Sequence, residues 1–154
     1  MAKILKIYNQ QDPILRAKCR DILHMELWVL ELADDMWMTM LMSRAVGLAA
    51  NQVGMDYRMI TVKGDQFEGP MINPVIVEKS AEVFHYQEGC LSATGYQFDT
   101  GKRSKNIKVT YYDLEGKPQL AELSDMTAVI VQHEVDHLEG ILFMDYMDSR
   151  LYAK

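Results

Sequence analysis

His133, Glu134 and His137 stand in the order His-Glu-x-x-His within QHEVDHLEG, Gln132 to Gly140. No other stretch constrains the fold as strongly. On a helix, residues four apart share a face, with Cβ atoms about 5–6 Å apart, so both imidazoles can reach one ion. Glu134, one residue on, can reach a water at that ion without being a ligand itself. A catalytic cation generally takes three protein ligands and keeps one position open. The segment must therefore be helical, and another part of the chain must fold over it to bring the third ligand. The preceding turn, Ala128 to Val131, reads AVIV, so part of the helix is buried and Val129 and Ile130 wall the site. A chargeable trio beside such a wall is costly unless something binds it.

The chain has 154 residues, which fits one domain (1–154) with a core that needs no disulfide. Its two cysteines, Cys19 and Cys90, make a disulfide framework implausible and leave a thiol free as ligand or nucleophile. A formal charge of −6 argues against a general nucleic-acid or anionic-membrane binder. No apolar run approaches the roughly 18 residues of a membrane span. The start, MAKILKIYNQQDP, lacks the pattern of a secretory signal, so a cytosolic protein is expected. Twelve methionines read as flexible core filling.

Along the chain, Asp12 and Pro13 mark the start of a short helix. Between Glu26 and Met42 apolar residues recur at Leu27, Leu30, Ala33, Trp37, Met40 and Leu41, with Glu31, Asp34 and Asp35 opposite, which predicts an N-terminal helix. Ala45 to Gly54 reads as a loop or irregular strand. Strands are predicted at Arg58–Val62, Met71–Val77, Glu82–Tyr86, Ile107–Tyr112 and Gln119–Leu123, the last two joined by the turn Asp113–Gly116. Ser124 is the expected N-cap of the HExxH helix, from Asp125 to about Leu138, and Gly140 its stop. Helix, several strands, then helix favours α+β: mainly antiparallel strands around a central HExxH helix.

The third ligand is not in the motif. Phe143 stands where a metzincin pattern would have its third histidine. Few residues follow for a thermolysin-like glutamate helix, and the downstream carboxylates Glu139, Asp145 and Asp148 read as solvated surface. Upstream, His24 and His85 have no supporting context. Cys90 has some: it lies in EGCLS after a strand candidate, with Gly89 permitting close backbone approach. A thiolate with two imidazoles suits zinc or ferrous iron.

With these segments in view, the sequence resembles the peptide deformylases. DPILR (Asp12 to Arg16), GLAANQ (Gly47 to Gln52), EGCLS (Glu88 to Ser92) and QHEVDHLEG occur in that family's order and comparable spacing. The resemblance implies a hydrolase that removes the formyl group from the N-terminal formylmethionine of newly synthesised polypeptides and releases formate. It implies that Cys90, His133 and His137 hold one divalent metal ion, Fe2+ first, with Zn2+, Ni2+ or Co2+ as substitutes. Glu134 would be general base and then proton donor, while the Gln52 amide and the Leu91 backbone N–H stabilise the oxyanion. The small residues of GLAA suit strand addition by the substrate, with Gly47 and Leu48 pairing through main-chain groups. Val46, Val129 and Ile130 are assigned to the methionine pocket.

Several positions depart from the family pattern. Its first motif usually begins with glycine and has proline before the glutamine, where this chain has Ala45 and Asn51. After EGCLS stand Ala93 and Thr94 in place of an apolar residue and proline. An ion pair between Glu88 and Arg103 is weighed against solvation of both. The chain resembles short forms without the long basic C-terminal helix, some of them encoded by bacteriophages. Expected partners are N-formylmethionyl nascent peptides, with a transient ribosome contact through RSKNIK (Arg103 to Lys108) at most, no membrane and no specific nucleic acid. A monomer is expected, in the bacterial cytosol or that of an infected host. The alternatives are a zincin-type metallopeptidase and a non-catalytic metal- or peptide-binding module.

Overall fold

The stretch Met59–Lys63 has four buried residues in succession. Successive strand side chains point to opposite faces, so a strand buried throughout belongs to a sheet covered on both sides. The computed structural model, which describes residues 1–147, shows that arrangement. Its elements are helix α1 (Leu27–Met42), strands β1 (Gly47–Ala49), β2 (Met59–Lys63), β3 (Glu68–Lys79), β4 (Asn106–Tyr112) and β5 (Pro118–Ser124), and helix α2 (Asp125–Leu138). The strands form one antiparallel sheet in the order β1-β2-β3-β4-β5, which leaves β1 and β5 at its edges.

Alternation along the strands divides the core in two. Leu48, Met59 and Ile72 join Val29, Met36 and Met40 of α1 on one face. Their neighbours Ala49, Ile60 and Met71 join Ala128, Val131 and Leu138 of α2 on the other. The expected α+β architecture is therefore found, with the HExxH helix packed on the sheet. Four methionines, Met36, Met40, Met59 and Met71, are fully buried, in keeping with core filling.

Some expectations need correction. In α1 the buried face is Val29, Leu32, Ala33, Met36 and Met40, and Leu27 and Leu30 are exposed. Apolar residues cover most of the helix outside the arc of Glu31, Asp34 and Asp35, so more than one apolar face satisfies the helical spacing, and packing selects the one opposite those charges. Glu82–Tyr86 is not a strand. Only Val83 bridges to Ser104, and the segment from Ser80 to Lys105 is held by scattered backbone bonds such as Phe84 N–H to Arg103 O. Ser124 occupies the N-cap of α2, but its hydroxyl accepts from Gln66 instead of capping the helix. Asp12, by contrast, caps the 3-10 turn Pro13–Arg16 through Ile14 N–H.

The end of α2 is fixed by Gly140. Its φ of +76° follows the C-cap Glu139, and a Cβ there would lie 2.6 Å from the Arg16 carbonyl oxygen. Both the left-handed backbone and the close approach require glycine. Gly140→Ala is expected to cost about 2–4 kcal/mol of stability, from αL strain plus displaced backbone. Urea unfolding at constant m-value measures it, and a loss under about 0.5 kcal/mol would contradict this packing.

Candidate metal centre

Helix α2 carries His133, Glu134 and His137 on the turns that follow its apolar start, and all three are buried. Cys90 comes from the irregular segment that folds across the helix. The ligand atoms of Cys90, His133 and His137 lie within 4.8 Å of one another. Cys90 Sγ is 3.4 Å from His137 Nε2. The other sequence candidates are not brought here: exposed His85 pairs with Asp99 at 2.6 Å, and His24 lines a separate groove of about 810 Å3 by the β4–β5 hairpin. Phe143 is no ligand. It is buried, stacked on Phe98 and tilted against His133, which removes the metzincin extension.

Behind the cluster lies a buried charge network. Glu88 Oε1 is 2.9 Å from His133 Nδ1, which directs the other ring nitrogen of His133 toward Cys90 and His137. Arg103 donates to both Glu88 oxygens at 3.0 Å and to Asp136 Oδ2 at 2.6 Å. Thr100 donates to Glu88 Oε2, and the Tyr146 hydroxyl donates to Asp136. Glu88 and Arg103 are 3% and 4% exposed, so the solvated alternative for them is overturned. Of the RSKNIK cations, Arg103 is thus internal, while Lys105 and Lys108 pair with Asp125 and Glu78. Glu139 and Asp145 are ion-paired to Arg58 and Arg16 and are not merely solvated, and Asp148 lies outside the described residues.

Burial works against the Glu88 carboxylate, but His133 and Arg103 outweigh it and hold Glu88 below the usual range. Burial would also push His133 down; Cys90 and Glu88, with Glu134 beyond them, instead raise it to about 10. That negative field favours a cation at this point, a proton or a metal. Burial, then the charge of His133, holds His137 well below the ordinary histidine range, which favours its neutral form. Desolvation lifts Glu134 to about 7, and its Oε1 is buried without a hydrogen-bond partner. A thiol, two imidazoles and a charge-poised carboxylate fit a divalent transition ion.

The 3-10 turn Ala50–Val53 supplies Gln52. Its Oε1 accepts from Ala49 N–H at 2.9 Å, so its NH2 is turned to Ser92 Oγ at 3.1 Å and Cys90 Sγ at 3.5 Å. Leu91 N–H donates no hydrogen bond among the described residues. Gly47 packs so closely on α2 that a Cβ there would sit 2.5 Å from Glu134 Oε2. A cleft of about 590 Å3 opens over these groups, lined by Val46, Gly47, Gly89, Leu91, Val129 and Ile130 among others. The Leu48 side chain is fully buried in the α1 core, which leaves only its backbone for any ligand. A Cβ on Gly89 would meet nothing within 4 Å, so no protein packing demands that glycine.

Sequence reasoning missed Ser92, Asp136, Tyr146 and the Asn51 side chain. It also missed Arg44, Tyr86, Thr94 and Tyr96 on the cleft wall. EGCLS carried a signal for Ser92, and Asn51 and Thr94 stood out only as departures beside the motifs; the others are joined to the site by tertiary contact alone.

A cysteine loop closed over an HExxH helix, beside the open edge of a sheet, defines a metallohydrolase. A sequence model of the polypeptide deformylase family matches residues 4–151. The peptide deformylase of Cytophaga hutchinsonii is 38% identical over 154 residues, covering 95% of this chain and 83% of that protein. The class I type b peptide deformylase of Acinetobacter baumannii superposes with a TM-score of 0.89 at 35% identity, covering 94% of this chain and 99% of that one. That of the Vibrio parahaemolyticus bacteriophage VP16T, in complex with actinonin, gives 0.85 at 35%, covering 90% and 99%. The chain belongs to the polypeptide deformylase family, hydrolases that remove the N-formyl group from newly synthesised polypeptides and release formate.

Glu88→Ala would take the acceptor from His133 Nδ1 and leave buried Arg103 with Asp136 as its one remaining carboxylate partner among the described residues. A loss of about 3–5 kcal/mol is expected, as for other broken buried pairs, with Glu88→Gln losing less because it keeps an acceptor. Chemical unfolding of both variants tests this, and a loss below about 1 kcal/mol for the alanine would contradict it.

Proposed function

We propose that Cys90, His133 and His137 together hold one divalent cation per chain, and that residues 1–154 form one catalytic domain around it. The observation that carries this is the convergence of the three donor atoms within 4.8 Å beside the unpartnered carboxylate oxygen of Glu134. When bound, the cation supplies Lewis-acid polarisation and makes water acidic enough to lose a proton near neutral pH.

The chain's own residues do the rest. Glu134, desolvated and free at Oε1, takes a proton from the attacking water and returns it to the departing amine. The Gln52 NH2 and the Leu91 N–H serve as donors to the carbonyl oxygen as negative charge builds on it. The outer edge of β1 carries no strand among the described residues, so an extended peptide can pair with Gly47 and Leu48 through main-chain bonds. Val46, Val129 and Ile130 form an apolar wall for the first side chain, methionine.

Substrates are N-formylmethionyl nascent peptides, acted on in the bacterial cytosol or that of an infected host by a monomer. A transient ribosome contact would use Lys105 and Lys108 at the surface. No helix among the described residues is long and apolar enough to cross a membrane.

Formate release from formyl-Met-Ala, with no cleavage of an N-blocked internal peptide, is the expected outcome; the reverse pattern would favour a zincin-type peptidase. Glu134→Ala should lower turnover by about 10²–10⁴-fold while metal content stays at one per chain. Unchanged turnover would remove Glu134 from its role, and absence of metal from the wild type would remove the centre. Ferrous iron is the expected resident metal, with Zn2+, Ni2+ or Co2+ able to replace it. Anaerobic purification with metal counting should give an iron enzyme that loses activity in air, through oxidation of the iron or of Cys90. Full activity in an aerobic, zinc-only preparation would overturn that assignment.

A further inference from the structure

His133 and His137 are alike toward Cys90 and unlike behind it. On the far side of His133, Nδ1 meets the Glu88 carboxylate. On the far side of His137, Nδ1 is buried and has no hydrogen-bond partner among the described residues. A histidine that ligates through Nε2 carries its proton on Nδ1, and that N–H is nearly always given to an acceptor. His137 Nε2 is the nitrogen that faces Cys90, so Nδ1 is the donor left over.

A second buried orphan belongs to the side chain attached to the same residue. Asn51 is fully buried and its Nδ2 donates to the His137 carbonyl oxygen at 2.6 Å. A carbonyl can only accept, so the amide cannot be turned the other way round. Its other end is therefore Oδ1, an acceptor, and Oδ1 has no partner among the described residues. The carbonyl that Nδ2 touches already accepts from Gly140 N–H, so helix termination does not require Asn51. What remains is one unpaired donor on His137 and one unpaired acceptor on Asn51, whose amide is already tied to the His137 backbone carbonyl.

We propose that Asn51 is the positioning residue of His137: its Oδ1 accepts the Nδ1 proton, directly or through one internal water, when a cation is held at Nε2. The inference rests on the assignment of Cys90, His133 and His137 as the cation site. It gives the two histidines different backing, a carboxylate for His133 and a neutral amide for His137. It also places ligand orientation and the Gln52 donor on adjacent residues of one 3-10 turn.

The test uses zinc as the probe on the full chain. Wild type, Asn51→Leu and Asn51→Asp are loaded with Zn2+, counted for metal, and followed for release to a chelator, with thermal melts of the metal-free forms. Wild type should hold one zinc. Asn51→Leu should release it about 10–100-fold faster, as expected when a ligand's outer partner is lost. Asn51→Asp keeps an acceptor and loses the Nδ2 donor, so it should hold zinc at least as well as wild type. Equal release from wild type and Asn51→Leu overturns the proposal. So does loss from Asn51→Asp as fast as from Asn51→Leu, since Asn51 would then act only on the helix carbonyl. If Asn51→Leu fails to fold, long-range 15N NMR of the zinc-loaded wild type decides. A protonated His137 Nδ1 protected from solvent exchange supports the pairing, and an unprotonated or freely exchanging Nδ1 refutes it. Wild-type stoichiometry reports on the site and the variant rates on Asn51, so wild type without zinc overturns the site itself.

Discussion

A single carboxylate, that of Glu88, joins the irregular half of this molecule to its regular half. From Ser80 to Lys105 the chain has almost no ladder to hold it, yet Cys90 must reach α2 to within a few ångströms of two imidazoles. Glu88, two residues before Cys90, accepts from Arg103 and meets His133 in a space closed to water. Burying two charges costs several kcal/mol per ion unless the geometry is good and the remaining hydrogen bonds are made. Here Thr100 and Asp136 complete them. The pair is thus less a source of stability than a statement of position, because an ill-placed loop would leave both charges exposed to the full desolvation cost.

The sheet sets the other boundary of the site. Strand β1 is three residues long and lies at an edge, and Gly47 within it touches the carboxylate of Glu134. No side chain separates the strand from the helix there, so a peptide paired with that edge, as proposed, would come close to Glu134. On the proposed reading, strand pairing and chemistry share one small volume. The apolar residues Val129 and Ile130, one turn earlier on α2, then stand beside the site by helix geometry alone.

How much of this was legible in the sequence depended on whether the signal was local. The spacing of His133 and His137 gave a helix and a shared face, and β4, the turn and β5 fell where their alternation and DLEG put them. The buried face of α1 was misread because its apolar residues extend well beyond one face, and packing on Met59 and Ile72 chose the side. Glu82–Tyr86 has strand composition, but tertiary contacts recruit it as loop. Cys90 was recognised through EGCLS, not through any spacing to the histidines. Asn51, Asp136 and Tyr146 were beyond reach because their meaning lies in partners 86, 33 and 10 residues away.

The Gln52 side chain has one further consequence. Its oxygen is tied to Ala49 N–H and its nitrogen to Ser92 Oγ, so a half-turn of the amide would break the first bond and set N–H against N–H. The dipole is therefore oriented during folding, before any substrate is present. A solvent molecule at that point would have to swing round as charge moved, at an energetic cost during the reaction. On the proposed reading of Gln52 as a donor to the substrate carbonyl, that reorganisation is already complete in the folded chain.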